Sequence, residues 1–195
     1  MAVTRLGQVV LLNGASSSGK TTIARRLLAD FAAPWFHMGV DMFGAMRAEE
    51  RTHQLEPSEL REVLRRTRAG FHRAVAGMAQ AGNDIVMDHV LGEPWRLHDL
   101  LTVMEGIDVI FVGVHCPAAD LTERERRRLD RVSGTAVGQS ATVHTHGLYD
   151  MEVDTSTATV ENCSARIREY LQLNPSPTPR AFDRLRDVDT ENSVP

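Results

Sequence analysis

Eight consecutive residues near the start of the chain, Gly14-Ala15-Ser16-Ser17-Ser18-Gly19-Lys20-Thr21, fit the pattern G-x-x-x-x-G-K-[ST]. That spacing is the one a phosphate-cradling loop needs. Gly14 and Gly19 let the backbone curl round an anion without a Cβ in the way. Lys20 is placed to reach the β- and γ-phosphates of a nucleotide, and the Thr21 hydroxyl to sit on Mg²⁺. The expected cradle runs from Gly14 through Ala15, Ser16, Ser17, Ser18, Gly19, Lys20 and Thr21 to Thr22. Among the 22 Lys and Arg residues, Lys20 is the single lysine. Arginine serves everywhere else, so this position demands a compact ammonium inside a tight loop.

Three further groups carry chemistry. Asp88 closes the apolar run Ile85-Val86-Met87, where a carboxylate orders Mg²⁺ directly, through water or through Thr21, or else caps the next turn. Asp41 closes the run Trp35-Phe36-His37-Met38-Gly39-Val40. There it serves as general base for a hydroxyl that accepts a phosphoryl group, or as cap of a helix starting at Met42, or as both. Arg124, Arg128 and Arg131 lie at i, i+4 and i+7 on one helical face. They read either as a lid closing over phosphates or as a solvated mixed-charge face. Arg61, Arg65, Arg66 and Arg68 read as a solvated face. His144 and His146 flank Thr145 without a third ligand at metal spacing, and read as a surface loop.

These groups need a scaffold, and the periodicity supplies one. Residues 9–12 are a short apolar run, read as a buried strand. Ile23, Leu27, Leu28 and Phe31 then fall on one face of a helix over 21–31. The loop thus joins a strand to a helix N-terminus, where free N–H groups and the dipole attract phosphate. Strands are expected over 35–40, 85–87, 107–114 and 151–153. Helices are expected over 57–81, 95–104, from 117 to near Gly134, and 160–173, with a weaker pattern over 42–56 and residues 143–150 irregular. Strand and helix alternate, which gives an α/β sheet with right-handed crossovers. Residues 1–173 read as one domain. The tail over 174–195, which holds Pro175, Pro177, Pro179 and many charges, is expected to wrap loosely or stay disordered.

The 195 residues carry a formal net charge of −4, which excludes a strongly basic nucleic-acid footprint. No apolar run approaches the roughly 18 residues that span a membrane. Two cysteines, Cys116 and Cys163, make no disulfide framework, so a cytoplasmic, reducing setting is expected.

Several segments taken together carry a family resemblance. Beside the phosphate loop stand Phe36-His37-Met38-Gly39-Val40-Asp41, Ile85-Val86-Met87-Asp88 and Val112-Gly113-Val114-His115-Cys116-Pro117. Arg124-Glu125-Arg126 and Leu129-Asp130-Arg131-Val132 follow, then Val143-His144 and Tyr149-Asp150-Met151-Glu152-Val153-Asp154-Thr155. In this order they resemble the chloramphenicol phosphotransferase-like proteins, over residues 9–173. The resemblance implies a P-loop kinase with a parallel five-stranded sheet of order 2-3-1-4-5, flanked by helices, with an Arg-bearing lid helix. It implies ATP and Mg²⁺, an aspartate base at Asp41 and lid arginines at Arg124, Arg128 and Arg131. The acceptor is then a small-molecule hydroxyl, that of chloramphenicol or another antibiotic, with residues 42–71 forming much of its pocket. That segment does not match the family pattern residue by residue. A sugar or a nucleoside-like compound stands as the alternative acceptor. A nucleotide-dependent switch or toxin-type regulator is the reading from a different class, but no water-orienting Gln or partner surface is evident for it.

Overall fold

The computed structural model describes residues 5–127 and 135–191. Val9–Asn13 is β1, and alternate side chains point to opposite faces of a sheet. Val9 and Leu11 enter one apolar cluster, Val10 and Leu12 the other. Both faces are therefore buried, as a parallel sheet requires. The remaining strands are β2 (Phe36–Gly39), β3 (Ile85–His89), β4 (Val109–His115) and β5 (Met151–Asp154). They pair in parallel in the order β2-β3-β1-β4-β5, as the resemblance implied.

Helices cover the two faces. Helix α1 (Lys20–Asp30) brings Ile23, Ala24 and Leu27 to the same cluster that Val10 and Leu12 enter. Helix α8 (Val160–Leu173) adds Cys163 and Ile167 there. On the opposite face lie α4 (Pro57–Gln80), with Phe71 and Val75, and α5 (Pro94–Val103), with Leu100 and Leu101. Helix α4 starts where Pro57 suits the first turn, and Glu56 and Glu59 form a reciprocal capping box. No helix among the described residues is long and apolar enough to cross a membrane.

Three regions differ from the sequence reading. Strand β2 ends at Gly39, and Val40 opens a short helix, α2 (Val40–Ala45), followed by α3 (Glu49–His53). Residues 42–56 are thus largely helical, but too short to show a repeating apolar face. Helix α6 covers Ala118–Arg126 and α7 covers Thr135–Ser140. Arg128 and Arg131 lie outside the described residues.

The third difference is the tail, expected to be loose. It forms α9 (Ala181–Glu191) and packs on the sheet. Ala181 and Phe182 are buried, and the Phe182 ring meets that of Phe111 in β4 edge-on at 5.1 Å. Arg180 is 2% exposed and donates through Nε to Asp108 at 2.8 Å. Arg186 donates to the carbonyls of Leu101 and Met104. Charge content misled here because these arginines bind buried acceptors instead of water. The apolar stripe is only Phe182, Leu185 and Val188, one contact per turn.

Phe182→Ala is expected to lower unfolding free energy by about 3–5 kcal/mol, the usual cost of emptying an aromatic core site. Urea denaturation measures it. A loss below about 1 kcal/mol, the scale of a surface change, would show a tail merely resting on the sheet.

Candidate active site

The carboxyl ends of the parallel strands meet at one edge, where open α/β sheets bind ligands. The loop after β1 rests close against β4. A Cβ on Gly14 would stand 2.3 Å from the Val114 carbonyl oxygen, so only glycine fits. Gly19, at φ 95°, is the left-handed residue from which α1 starts. Ser17 also sits at positive φ, 62°, uncommon for a residue with a side chain. The hydroxyls of Ser17 and Ser18 are buried without a hydrogen-bond partner. Lys20 folds back to donate to the carbonyls of Gly14 at 2.8 Å and Ala15 at 2.7 Å. A loop with strained backbone and unspent polar groups fits an anionic ligand.

Thr21 Oγ1 donates to Asp88 Oδ2 at 2.9 Å, bringing the two expected metal-associated groups together. His37 Nε2 lies 3.0 Å from the same carboxylate oxygen. Burial alone would raise the Asp88 pKa. The hydrogen bond from His37, the charge of Lys20 and the Thr21 hydroxyl outweigh it and hold the carboxyl below its ordinary range.

A pocket opens between the loop and α2. Ser16, Ser17, Gly19, Lys20, Thr21 and Thr22 line it on one side, with Asp88. Asp41 lines it from the first turn of α2 and is exposed. Gly39, not Asp41, occupies the N-cap position of that helix. Arg68, His89, Arg96 and Gln139 complete the lining.

Arg124 is placed elsewhere. Its guanidinium donates to Thr155 Oγ1 at 2.9 Å and to the Thr155 carbonyl at 2.8 Å. Thr155 Oγ1 in turn donates to the Ser18 carbonyl at 2.9 Å. Arg124 thus braces the phosphate loop through Thr155 and does not line the pocket.

Four pocket residues escaped the sequence reading. Arg68 was grouped with the solvated arginines of α4. It shares the inward stripe with Leu64, Phe71 and Val75, and that spacing could have revealed it. Arg96 is 8% exposed, held by Glu93 and by the Val90 carbonyl. Gln139 accepts from the Ser16 N–H at 2.8 Å. His89 follows Asp88 in sequence, but its neighbour His72 lies seventeen positions away on α4, beyond local pattern. Burial drives the pKa of both histidines down. At His72 the hydrogen bond to Asp99 opposes it, and at His89 the nearby His72, Arg96 and Arg68 add to it.

His144 and His146, read as a surface loop, are half-buried. His144 Nδ1 lies 2.5 Å from the Tyr149 hydroxyl and His146 Nε2 3.2 Å from Asn13 Nδ2.

Comparison with known proteins agrees with this geometry. The family described as chloramphenicol phosphotransferase-like protein matches residues 7–172. A Mycobacterium tuberculosis (strain ATCC 25618 / H37Rv) protein with the provisional name O-phosphotransferase is 30% identical, over 92% of this chain and 88% of its own. Among solved structures, the APS kinase of Mycobacterium tuberculosis with AMPPNP and APS has TM-score 0.61 at 16% identity, covering 86% of this chain and 98% of that one. The tunicamycin resistance protein of Deinococcus radiodurans has TM-score 0.64 at 15% identity, covering 88% and 100%. At such identities these structures establish the fold alone. With the phosphate loop, the Asp88 carboxylate beside Thr21 and the sheet order all in place, the chain belongs to the chloramphenicol phosphotransferase-like family and is an ATP-dependent phosphotransferase of small molecules.

Proposed function

We propose that this chain moves the γ-phosphoryl group of ATP to a hydroxyl of a small molecule, chloramphenicol or another antibiotic, in the cytoplasm. The observation that carries the reading is one pocket lined by Lys20, Thr21 and Asp88 on the nucleotide side and by Asp41 across from them. Phosphoryl transfer asks the protein mainly for position and charge. The loop N–H groups and Lys20 hold the phosphates. Asp41 takes the proton of the attacking hydroxyl as the new P–O bond forms.

Thr21 Oγ1 and Asp88 Oδ2, 2.9 Å apart, are hard oxygen donors that suit Mg²⁺. They would hold the ion, Asp88 directly or through water. When bound, Mg²⁺ neutralises charge on the phosphates. Arg128 and Arg131 are proposed as lid cations that stabilise charge in the transition state. Arg124 supports the same loop from behind, by way of Thr155.

One observation favours a second acceptor class. Arg68 and Arg96 line the same pocket, and two guanidinium groups suit a carboxylate or phosphate. A sugar or nucleoside-like metabolite bearing such a group would satisfy them where neutral chloramphenicol would not.

ADP release with a panel of hydroxylated antibiotics, sugars and sugar acids tests the reading. At least one compound should accelerate it, and none doing so would sink the proposal. Lys20→Ala should abolish transfer and weaken nucleotide binding by about 1.5–3 kcal/mol, the worth of a charge-assisted hydrogen bond. Retained turnover in that variant would remove the basis of the site.

Asp41→Asn keeps size but accepts no proton, so kcat should fall about 10²–10⁴-fold with nucleotide affinity nearly unchanged. Full turnover would leave Asp41 a bystander and move the search to Asp88. Collapse of nucleotide affinity would put Asp41 on the wrong side of the pocket.

A further inference from the structure

His89 ends β3 and is 1% exposed, yet it lines the pocket with Lys20 and Asp41. Its Nε2 is 3.0 Å from Nε2 of His72, itself fully buried on α4. His72 Nδ1 is 2.6 Å from Asp99 Oδ2 on α5, and Arg73 also donates to that carboxylate. The remaining ring nitrogen of the chain, His89 Nδ1, is buried and has no hydrogen-bond partner.

With both rings neutral, the hydrogen bonds fix where the protons sit. An ionised carboxylate only accepts, so His72 Nδ1 carries hydrogen. A neutral His72 then presents a bare Nε2. His89 Nε2 must donate across the 3.0 Å gap, and a neutral His89 has its lone pair on Nδ1. Arg68, Arg96 and Lys20 line the same pocket and disfavour a positive charge on this ring. The chain from Asp99 therefore ends in a bare acceptor. A buried acceptor left empty is costly and asks for a donor. A histidine serving only the core would end on a partner within the protein. This one does pack edge-on against Phe71 at 5.5 Å, but that contact leaves Nδ1 unsatisfied.

We propose that His89 Nδ1 binds a second hydrogen-bond donor of the phosphoryl acceptor, an O–H or N–H other than the reacting hydroxyl. The inference deepens the phosphotransfer reading and rests on it. A hydroxyl has one hydrogen, and Asp41 receives that of the reacting group. His89 needs another. The acceptor is thus a compound with at least two neutral donor groups, a polyol or an amide-bearing alcohol. The same contact turns the acceptor so that one particular hydroxyl faces Asp41. His72 and Asp99 position His89 and set its tautomer.

The test uses the acceptor found by ADP release and analogues of it, each lacking one donor besides the reacting hydroxyl. With the wild-type protein, one analogue should show a KM about tenfold higher, since a site built for a hydrogen bond penalises its loss. His89→Gln keeps a donor towards His72 and loses the bare nitrogen. It should raise the KM of the parent acceptor about tenfold, leave the KM for ATP unchanged, and alter the KM of that one analogue less than twofold. His89→Asn returns an amide oxygen near the Nδ1 position and should restore most of the affinity for the parent. If Gln does not fold, the Asn variant against the same analogues carries the comparison. Nitrogen-15 spectra of the whole protein at pH 7 should show His89 Nδ1 without hydrogen. A protonated Nδ1, or equal KM changes for the parent and every analogue, would overturn the inference while leaving the phosphotransfer reading intact. No acceptor-dependent ADP release at all would remove that reading, and this inference with it.

Discussion

The site depends on the register between β1 and β3. Leu12 pairs with Asp88 and Asn13 with His89, and across the next ladder Gly39 pairs with Asp88. Asp88 and His89 are consecutive, so the pleat sends them to opposite faces. Asp88 turns towards α1 and meets Thr21, while His89 turns towards α4 and meets His72. One strand end thereby brings one residue to the phosphate loop and the next to α4. A slip of one residue would exchange the two faces and destroy both contacts. The polar contacts themselves favour the register, because a slipped pairing would leave Asp88 and His89 buried without them.

Two neighbouring titratable groups then have opposite electrostatic fates. Asp88 keeps its charge in a buried place because His37, Lys20 and Thr21 all favour the anion. Among the described residues no carboxylate bonds to His89, and burial, with His72, two arginines and a lysine nearby, keeps the ring neutral. Helix α4 provides much of this contrast. It places Arg68 and His72 on a stripe that otherwise holds Phe71 and Val75. Polar groups on a core-facing stripe cost stability unless they are paired, and His72 is paired at both nitrogens.

The sheet and the phosphate loop were legible in the sequence because each rests on local pattern. A buried strand followed by a glycine loop and a helix is specified within some twenty residues. Sheet order followed from the family resemblance, not from periodicity. Asp41 and Asp88 were visible as the polar stops of apolar runs. His72, His89 and Arg96 were not, since their meaning comes from contacts between α4, β3 and α5 that no window contains. Arg68 was legible in its helical phase but was grouped with its exposed neighbours. Arg124 was read by its face, and only the position of β5 directs it to Thr155.

The tail was misread for a related reason, and its packing bears on the site. Asp150 accepts from the Phe111 N–H through one oxygen and from the Ala181 N–H through the other. Burial raises its pKa, and these two N–H groups work against that rise. Asp150 therefore ties α9 to β4 at the entry to β5. Next to it, the hydroxyl of Tyr149 accepts from Asn13 Nδ2 at 2.7 Å. Asn13 also donates to the Val143 carbonyl and accepts from the Leu91 N–H. It immediately precedes Gly14, so its side chain fixes where the phosphate loop begins. A run of direct contacts thus joins α9, Asp150, Tyr149 and Asn13 to the loop. Asp150 and Tyr149 are joined through the chain itself, and the other links, Ala181 to Asp150 and Asn13 to Tyr149, are half-buried hydrogen bonds, costly to leave unmade. Helix α9 belongs to the framework of the site, even though no residue of α9 lines the pocket.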